Sequence, residues 1–443
     1  MTAMQRKRAA VVGTGHRAQL FTEGLARRPH LEVAALCDRN PVRMAHHNRL
    51  LTAAGRPEAR TYAPDDFEKM LHAEGIEEVV VTTVDATHDA YIVAALRAGC
   101  RVVTEKPMTT DADRCRRILD TVAETGAPLA VAFNYRFNPV HERVRNELAA
   151  GAIGEVVSVH FEWLLDVRHG ADYFRRWHRE KANSGGLMVH KAGHHFDLVN
   201  WWLGARPRRV YGAGRLAFYG RENGDRHGNR RDYERAHGSA AAADDPFALH
   251  LDQNDGLRSL YLDAEGVDGY HRDRNVFGDG ITIEDDMAVL ARYDSGASMS
   301  YHLTAYAPWE GYRVMFNGTG GRLELEVVES RWQEPRARLS SAKGAVHGDA
   351  ALDNAGGAHL LLRPLWEPPR ELEIPEFDHA GHGGGDARML RTLYDGEPGP
   401  AATAVDGALA LAVGLAANTS FGSGDAVDIA DVVDLPAEAV RVP

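Results

Sequence analysis

Cysteine is scarce: Cys37, Cys100 and Cys115 are the only three in 443 residues. Three scattered thiols build neither a disulfide scaffold nor a zinc knuckle, so a reducing, cytoplasmic setting is expected. Long hydrophobic runs are lacking too. The longest, GALALAVGLAA at residues 407–417, is too short to span a bilayer. The N-terminal MTAMQRKRAAVVG runs straight into a strand and turn without the pattern of a cleaved leader, so no membrane role is expected. Positive charge does not dominate. The 51 basic against 63 acidic residues leave a net charge of −12, which argues against nucleic acid as the main partner. Residues 221–246 contain no Val, Ile, Leu, Met, Phe or Trp. Such a stretch builds no core of its own, so the region around 221–275 reads as an exposed insertion.

What remains is an ordinary globular composition, 44% hydrophobic and 26% charged, with length for two or three domains. Up to about residue 133 short apolar strands (9–13, 31–37, 79–83, 101–104, 128–133) alternate with helical patterns (17–28, 91–98, 111–125). That order predicts a parallel, doubly wound α/β sheet. Beyond residue 151 the strands alternate apolar and polar residues (155–162, 288–293, 298–304, 313–318, 322–327), as in an antiparallel sheet with one covered face. Helical patterns return over 381–393 and 404–420. The division expected is 1–135 and 136–443.

The first strand ends in VVGTGHRA. Gly13, Gly15 and Ala18 form G-x-G-x-x-A between strand and helix. The first glycine permits the turn and the second lets backbone approach a pyrophosphate. The small third residue lets the helix pack on the strand, and the helix N-terminus attracts phosphate. Twenty residues after Ala18, Asp38 closes strand two, where a carboxylate holds an adenosine ribose. This reads as a dinucleotide site preferring NAD. NADP stays open because Arg39, next to Asp38, offers a partner for a 2′-phosphate.

These residues resemble the Gfo/Idh/MocA oxidoreductases, the family of glucose–fructose oxidoreductase and inositol dehydrogenase. The likeness rests on VVGTGHRA, on residues 84–108 with their Glu105-Lys106-Pro107, and on FNYRFNP at 133–139. It continues through SGGLMVHKAGHHFDLVNWWLG at 184–204 and GHGGGD at 381–386. It implies an N-terminal Rossmann domain and a C-terminal α+β domain with an open, mostly antiparallel sheet. It also implies hydride transfer on sugars or polyols, and a homo-oligomer, dimer or tetramer, joined through the outer sheet face.

Lys106 follows a strand at the carboxyl edge of the sheet, where such folds bind ligands. The resemblance makes it catalytic, with a cis bond to Pro107. Glu105 is expected to orient Lys106 or the nicotinamide. Asp85 and His88 follow the preceding strand on the same edge and are expected to line the cofactor. His190, His194 and Asp197 fall at i, i+4 and i+7, within about 60° on one helix. Where the family has an aspartate this chain has His190. His194 matches the family's histidine and is expected to act as the base, with His190 as a substrate contact or second proton carrier. A histidine without a carboxylate partner would titrate near pH 7, so activity is expected to fall below about pH 6.5. The same three residues also have zinc-like spacing, but the resemblance supplies a role without metal, and none is expected. Tyr173, Trp177, His178, Asp197 and His382 are candidate sugar contacts.

The expected function is an NAD(P)-dependent enzyme moving hydride between nicotinamide and a secondary hydroxyl or ketone of a sugar, polyol or glycoside. Redox-assisted glycoside cleavage or elimination with a recycled cofactor uses the same residues. A nucleotide-sensing protein without turnover is the third possibility, and Lys106 with His194 argues against it.

Overall fold

Two open sheets, one almost wholly parallel and one mostly antiparallel, organise the protein. The structure, a computed structural model, describes residues 6–334, 356–374 and 384–433. In the first sheet β1 (Lys7–Val12) leads to α1 (Ala18–Ala26), β2 (Leu31–Cys37) and α2 (Pro41–Ala53). Then come β3 (Arg60–Tyr62), α3 (Phe67–Ala73), β4 (Glu78–Val81), α4 (His88–Arg97), β5 (Arg101–Thr104), α5 (Ala112–Thr125) and β6 (Leu129–Val131). The strand order is β6-β5-β4-β1-β2-β3, all parallel, and the late strand Ala402–Thr403 adds antiparallel to β6. Val11, Val12, Val80 and Val81 are fully buried, as expected of strands covered on both faces. Asn40 caps α2, accepting from the N–H groups of Val42 and Arg43, with Pro41 at the first helical position.

The second half begins with α6 (Pro139–Ala149) and β7 (Val156–Asp166), followed by α7 (Val167–Arg175), α8 (Lys181–Ser184), α9 (Leu187–His190) and α10 (Ala192–Leu203). Its remaining strands are β8 (Pro207–Arg215), β9 (Asp286–Tyr293), β10 (Ser298–Ala307), β11 (Glu310–Gly318), β12 (Gly321–Ser330), β13 (Gly357–Pro364) and β14 (Arg370–Glu371). The order is β14-β13-β12-β11-β7-β10-β9-β8, then the strand Val427–Asp428. Among the described residues the β7–β10 pair alone is parallel in it. The expected pairing of an α/β Rossmann sheet with an open, mostly antiparallel one is what the chain forms.

The helix Ala404–Ser423 is longer than its central apolar run suggests. By length and composition it would cross a membrane, yet 67% of its most apolar window is buried inside the fold. It packs against α10 and β8, and Gly414 lets it approach the Met188 carbonyl, where a Cβ would lie at 2.6 Å.

Residues 221–275 differ from the exposed insertion read in the sequence. The stretch lacking large apolar residues is followed by Leu249, Leu251, Leu257, Leu260 and Tyr261, which bury one another in a small core. That core sits on the nucleotide side of the first sheet. Asn40 Nδ2 donates to the Ala264 carbonyl at 2.9 Å, and the His16 N–H donates to Tyr261 Oη at 3.1 Å. His46 and Arg49 of α2 meet Ser259 Oγ at 2.9 and 2.7 Å.

Candidate active site

A cavity of about 1060 Å³ runs from the glycine turn after β1, past the carboxyl ends of β4 and β5, to α7, α9 and the ends of β11 and β12. Gly13 (φ +83°) closes the turn, and a Cβ there would stand 2.7 Å from the Thr82 backbone. A Cβ on Gly15 would meet no atom of the described residues within 4 Å, so the backbone here faces open space and a phosphate can approach it. Ala18, the first residue of α1, is fully buried and packs rather than lining the cavity. Asp38 is fixed at the end of β2. Its Oδ2 accepts from the Thr14 N–H at 2.6 Å and the Thr14 hydroxyl at 2.9 Å, and its Oδ1 accepts from the Asn40 N–H at 2.8 Å. Arg39 lines the same end.

Deeper in, Lys106, His190 and Asp85 form a chain. Lys106 Nζ lies 3.2 Å from His190 Nε2 and donates to the His190 carbonyl at 3.1 Å. His190 Nδ1 lies 2.5 Å from Asp85 Oδ2. The Lys106–Pro107 bond is cis. Burial pulls the Lys106 amine down to about 8, against the opposing charges of Asp85 and Glu105. Burial, then the charges of Lys106 and Arg176, holds His190 well below the usual histidine range. This corrects the expectation that His190 lacks a carboxylate partner and titrates near pH 6.5: it has Asp85, and it stays neutral. A neutral ring fits both neighbours, donating from Nδ1 to Asp85 and accepting at Nε2 from Lys106.

Glu105 is held from the side. Its Oε1 accepts from Arg17 Nε at 2.5 Å, and its Oε2 accepts from the Lys106 N–H at 3.2 Å. Arg17 also pairs with Asp386 at 2.9 Å, and Asn134 Nδ2 donates to Asp386 at 2.8 Å. His88 is buried with Nδ1 at 2.9 Å from the Pro107 carbonyl and Nε2 at 3.1 Å from that of Thr83, bracing the loop that carries Lys106.

Tyr173, Trp177 and His178 line the wall opposite Lys106. The Trp177 and His178 rings stack at 3.5 Å, and His178 stands edge-on to His190 at 4.0 Å. His178 is 2% exposed, and among the described residues neither ring nitrogen has a hydrogen-bond partner. A buried imidazole left so is poised for a ligand. His194 faces the cavity, stacked on Tyr135 at 4.4 Å.

Asp197 is not brought to this site. The helix read as continuous is broken at Lys191, between α9 and α10, and Asp197 is not in the lining of the cavity. There Arg136 Nε and Nη2 donate to it at 2.8 and 2.6 Å, with Asp406 completing the pair at 3.0 Å. The zinc-like set of His190, His194 and Asp197 is dispersed with it. His382 lies outside the described residues.

Sequence reasoning missed Arg17, Tyr135 and Arg176, all of which line the cavity. Arg17 stands inside the glycine motif, and Tyr135 inside FNYRFNP, so both were visible as motif members. Arg176 had no such mark.

Residues 7–133 match the model of the oxidoreductase family's NAD-binding Rossmann fold, and residues 145–429 match that of its C-terminal alpha/beta domain. The chain belongs to the GFO/IDH/MocA oxidoreductase family. The Bacillus subtilis oxidoreductase YteT is 35% identical over 387 residues, 83% of each chain. An inositol 2-dehydrogenase of Rhizobium meliloti is 36% identical over 138 residues, 31% of this chain and 40% of that one. Among solved structures, the aldose-aldose oxidoreductase of Caulobacter crescentus shares the fold at TM-score 0.61 and 16% identity, covering 96% of this chain and all of that one. The WlbA dehydrogenase of Bordetella pertussis does so at 0.62 and 18%, covering 96% and 99%. As a family member the protein is an NAD(P)-dependent oxidoreductase with an NAD-binding Rossmann domain. The glycine cradle, the α1 N-terminus and Asp38 fit that cofactor.

Proposed function

We propose that this enzyme moves hydride between NAD and a secondary hydroxyl or ketone of a sugar, polyol or glycoside. The Lys106–His190–Asp85 chain carries the reading. It stands where the strands β4 and β5 end, in one cavity with the glycine turn. Bound NAD would supply the hydride acceptor or donor. Lys106, as a neutral amine, takes the proton of the reacting hydroxyl. The ammonium so formed is held by His190, whose ring is tied to Asp85, a carboxyl that burial pushes well above the usual carboxylate range against the charge of Lys106. We assign the proton to Lys106 rather than to His194, because the hydrogen-bonded chain runs through the lysine. His194, Tyr173, Trp177 and His178 offer ring faces and imidazole nitrogens to a polyhydroxylated ligand.

Asp85, His178 and His190 also bring donor atoms within 4.8 Å of one another. The Lys106 nitrogen on His190 Nε2 and the nearby charge of Arg176 oppose a cation there, and we assign the trio to proton handling and substrate contact. Purified protein should carry no stoichiometric zinc, and a chelator should leave activity intact. Activity lost to chelation and restored by metal would reverse this.

The main test is a panel of sugars, polyols and glycosides incubated with NAD. Accumulating NADH identifies a dehydrogenase substrate. Product formed without net NADH would instead establish redox-assisted cleavage or elimination. Binding of nucleotide and sugar with no turnover of any kind would sink the enzymatic reading.

A further inference from the structure

The insertion does more than cover the first sheet. Asp268, near its end, reaches the ribose end of the cavity, where it lines the wall together with Asp38, Arg39 and Arg43. Its Oδ2 pairs with Arg43 Nη2 and lies 3.4 Å from Arg39 Nε. The carboxylate is well fixed. Its side chain is 5% exposed, its Oδ1 accepts from the Tyr270 N–H at 3.2 Å, and the Asn40–Ala264 hydrogen bond anchors the segment just before it.

We propose that Asp268 is a cofactor-specificity residue that sets this protein's preference for NAD over NADP. A ribose 2′-phosphate is a dianion and needs cationic partners. Arg39 and Arg43 are placed to provide them, but a single oxygen of Asp268 already engages both. With Asp38 the ribose end then holds two carboxylates and two guanidinium groups, so its formal charges cancel. A 2′-phosphate would have to break the Arg–Asp268 pairs and lie among like charges. A 2′-hydroxyl pays no such penalty and has Asp38 to accept from it. Selectivity is therefore divided between two distant parts of the chain: Asp38 receives the hydroxyl, and Asp268 withholds the arginines from the phosphate. The inference rests on the cofactor lying in the glycine cradle.

The test is binding, not turnover. NADH and NADPH are titrated by nicotinamide fluorescence against the full-length wild type, Asp268→Ala and Asp268→Asn. The wild type is expected to bind NADH more tightly. Both variants should lower the NADPH/NADH ratio of dissociation constants at least about tenfold. Asp268→Asn keeps the oxygen that accepts from Tyr270 and so carries the test if Asp268→Ala does not fold. Adding Arg39→Ala to either variant should cancel much of the gain, since a freed arginine is its source. An unchanged ratio in folded Asp268→Asn would overturn the proposal, as would a wild type that prefers NADPH. Failure of the wild type to bind either nucleotide would overturn the cofactor site and this proposal together.

Discussion

At the scale of single residues, the proposed chemistry turns on one amine. Lys106 is the cavity lysine that touches both the His190 ring and its carbonyl, and burial has brought it within reach of neutral pH. Lys106→Met should lower kcat by about 10²–10⁴-fold while NADH affinity moves less than about threefold. Equal loss of both would make the lysine a structural or cofactor residue. The pH profile gives a second, signed test. Alcohol oxidation needs the neutral amine, so kcat should rise with pH through about 8. No acid limb from His190 is expected near 6.5, because that ring is already neutral there. Asp85 raises the lysine's pKa. Asp85→Asn should therefore shift the rising limb to lower pH, and a limb shifted upward or left in place would break the assignment. A neutral ring at 190 bridges Lys106 and Asp85, accepting from the one and donating to the other.

At the scale of elements, the chain was legible where periodicity and burial agree. Strands β2 and β5 form where the sequence put them, because apolar runs bounded by turns admit one reading on a doubly covered sheet. β8 was missed. Its RRVYGAGR has two glycines in place of inward side chains, since Phe421 occupies the space where their Cβ atoms would stand, at 2.7 and 2.5 Å. Only the tertiary partner explains them. Within the site, Lys106, His190, His194 and the aromatic wall could be read from motif and spacing. The Asp85–His190 pair could not, because 105 residues separate its members. The α9–α10 segment shows the limit most clearly. Helical spacing put Asp197 in line with His190, but periodicity does not say where along its length a helix leaves the cavity. Asp197 instead neutralises Arg136, whose side chain is 5% exposed against 1% for the aspartate. Breaking such a pair strands a buried guanidinium, so Asp197→Ala should cost roughly 3–5 kcal/mol of stability in denaturant unfolding, less whatever Asp406 recovers. At a temperature where the variant is folded, its sugar KM should match the wild type. A raised KM with unchanged stability would return Asp197 to the substrate site.

At the scale of the whole molecule, the question is what covers the outer face of the second sheet. The inner face is buried beneath the helices, and the candidate active-site cavity lies on that side, lined there by Tyr312 and Val327. Among its charged outward positions the outer face also exposes two large apolar side chains. Tyr211 of β8 and Leu290 of β9 are cross-strand partners, 45% and 57% exposed. Around them stand Ser158 and His160 of β7, Ala288 of β9, and Ser298 and Ser300 of β10, with the Arg209–Arg292 pair one step along the same strands. A concavity of about 560 Å³ crosses the same strands and holds Tyr211 and Leu290 in its lining. We expect this face to join copies of the chain, with about 800 Å² buried on each partner for a stable pair. The double variant Tyr211→Lys, Leu290→Lys places two charges at the centre of that contact and should convert the wild-type assembly to monomer in sedimentation at micromolar concentration. Turnover per chain should persist, because neither residue lines the catalytic cavity. A wild type already monomeric under those conditions, or a double variant that keeps the wild-type mass, would show that the sheet faces solvent and that Tyr211 and Leu290 serve no assembly.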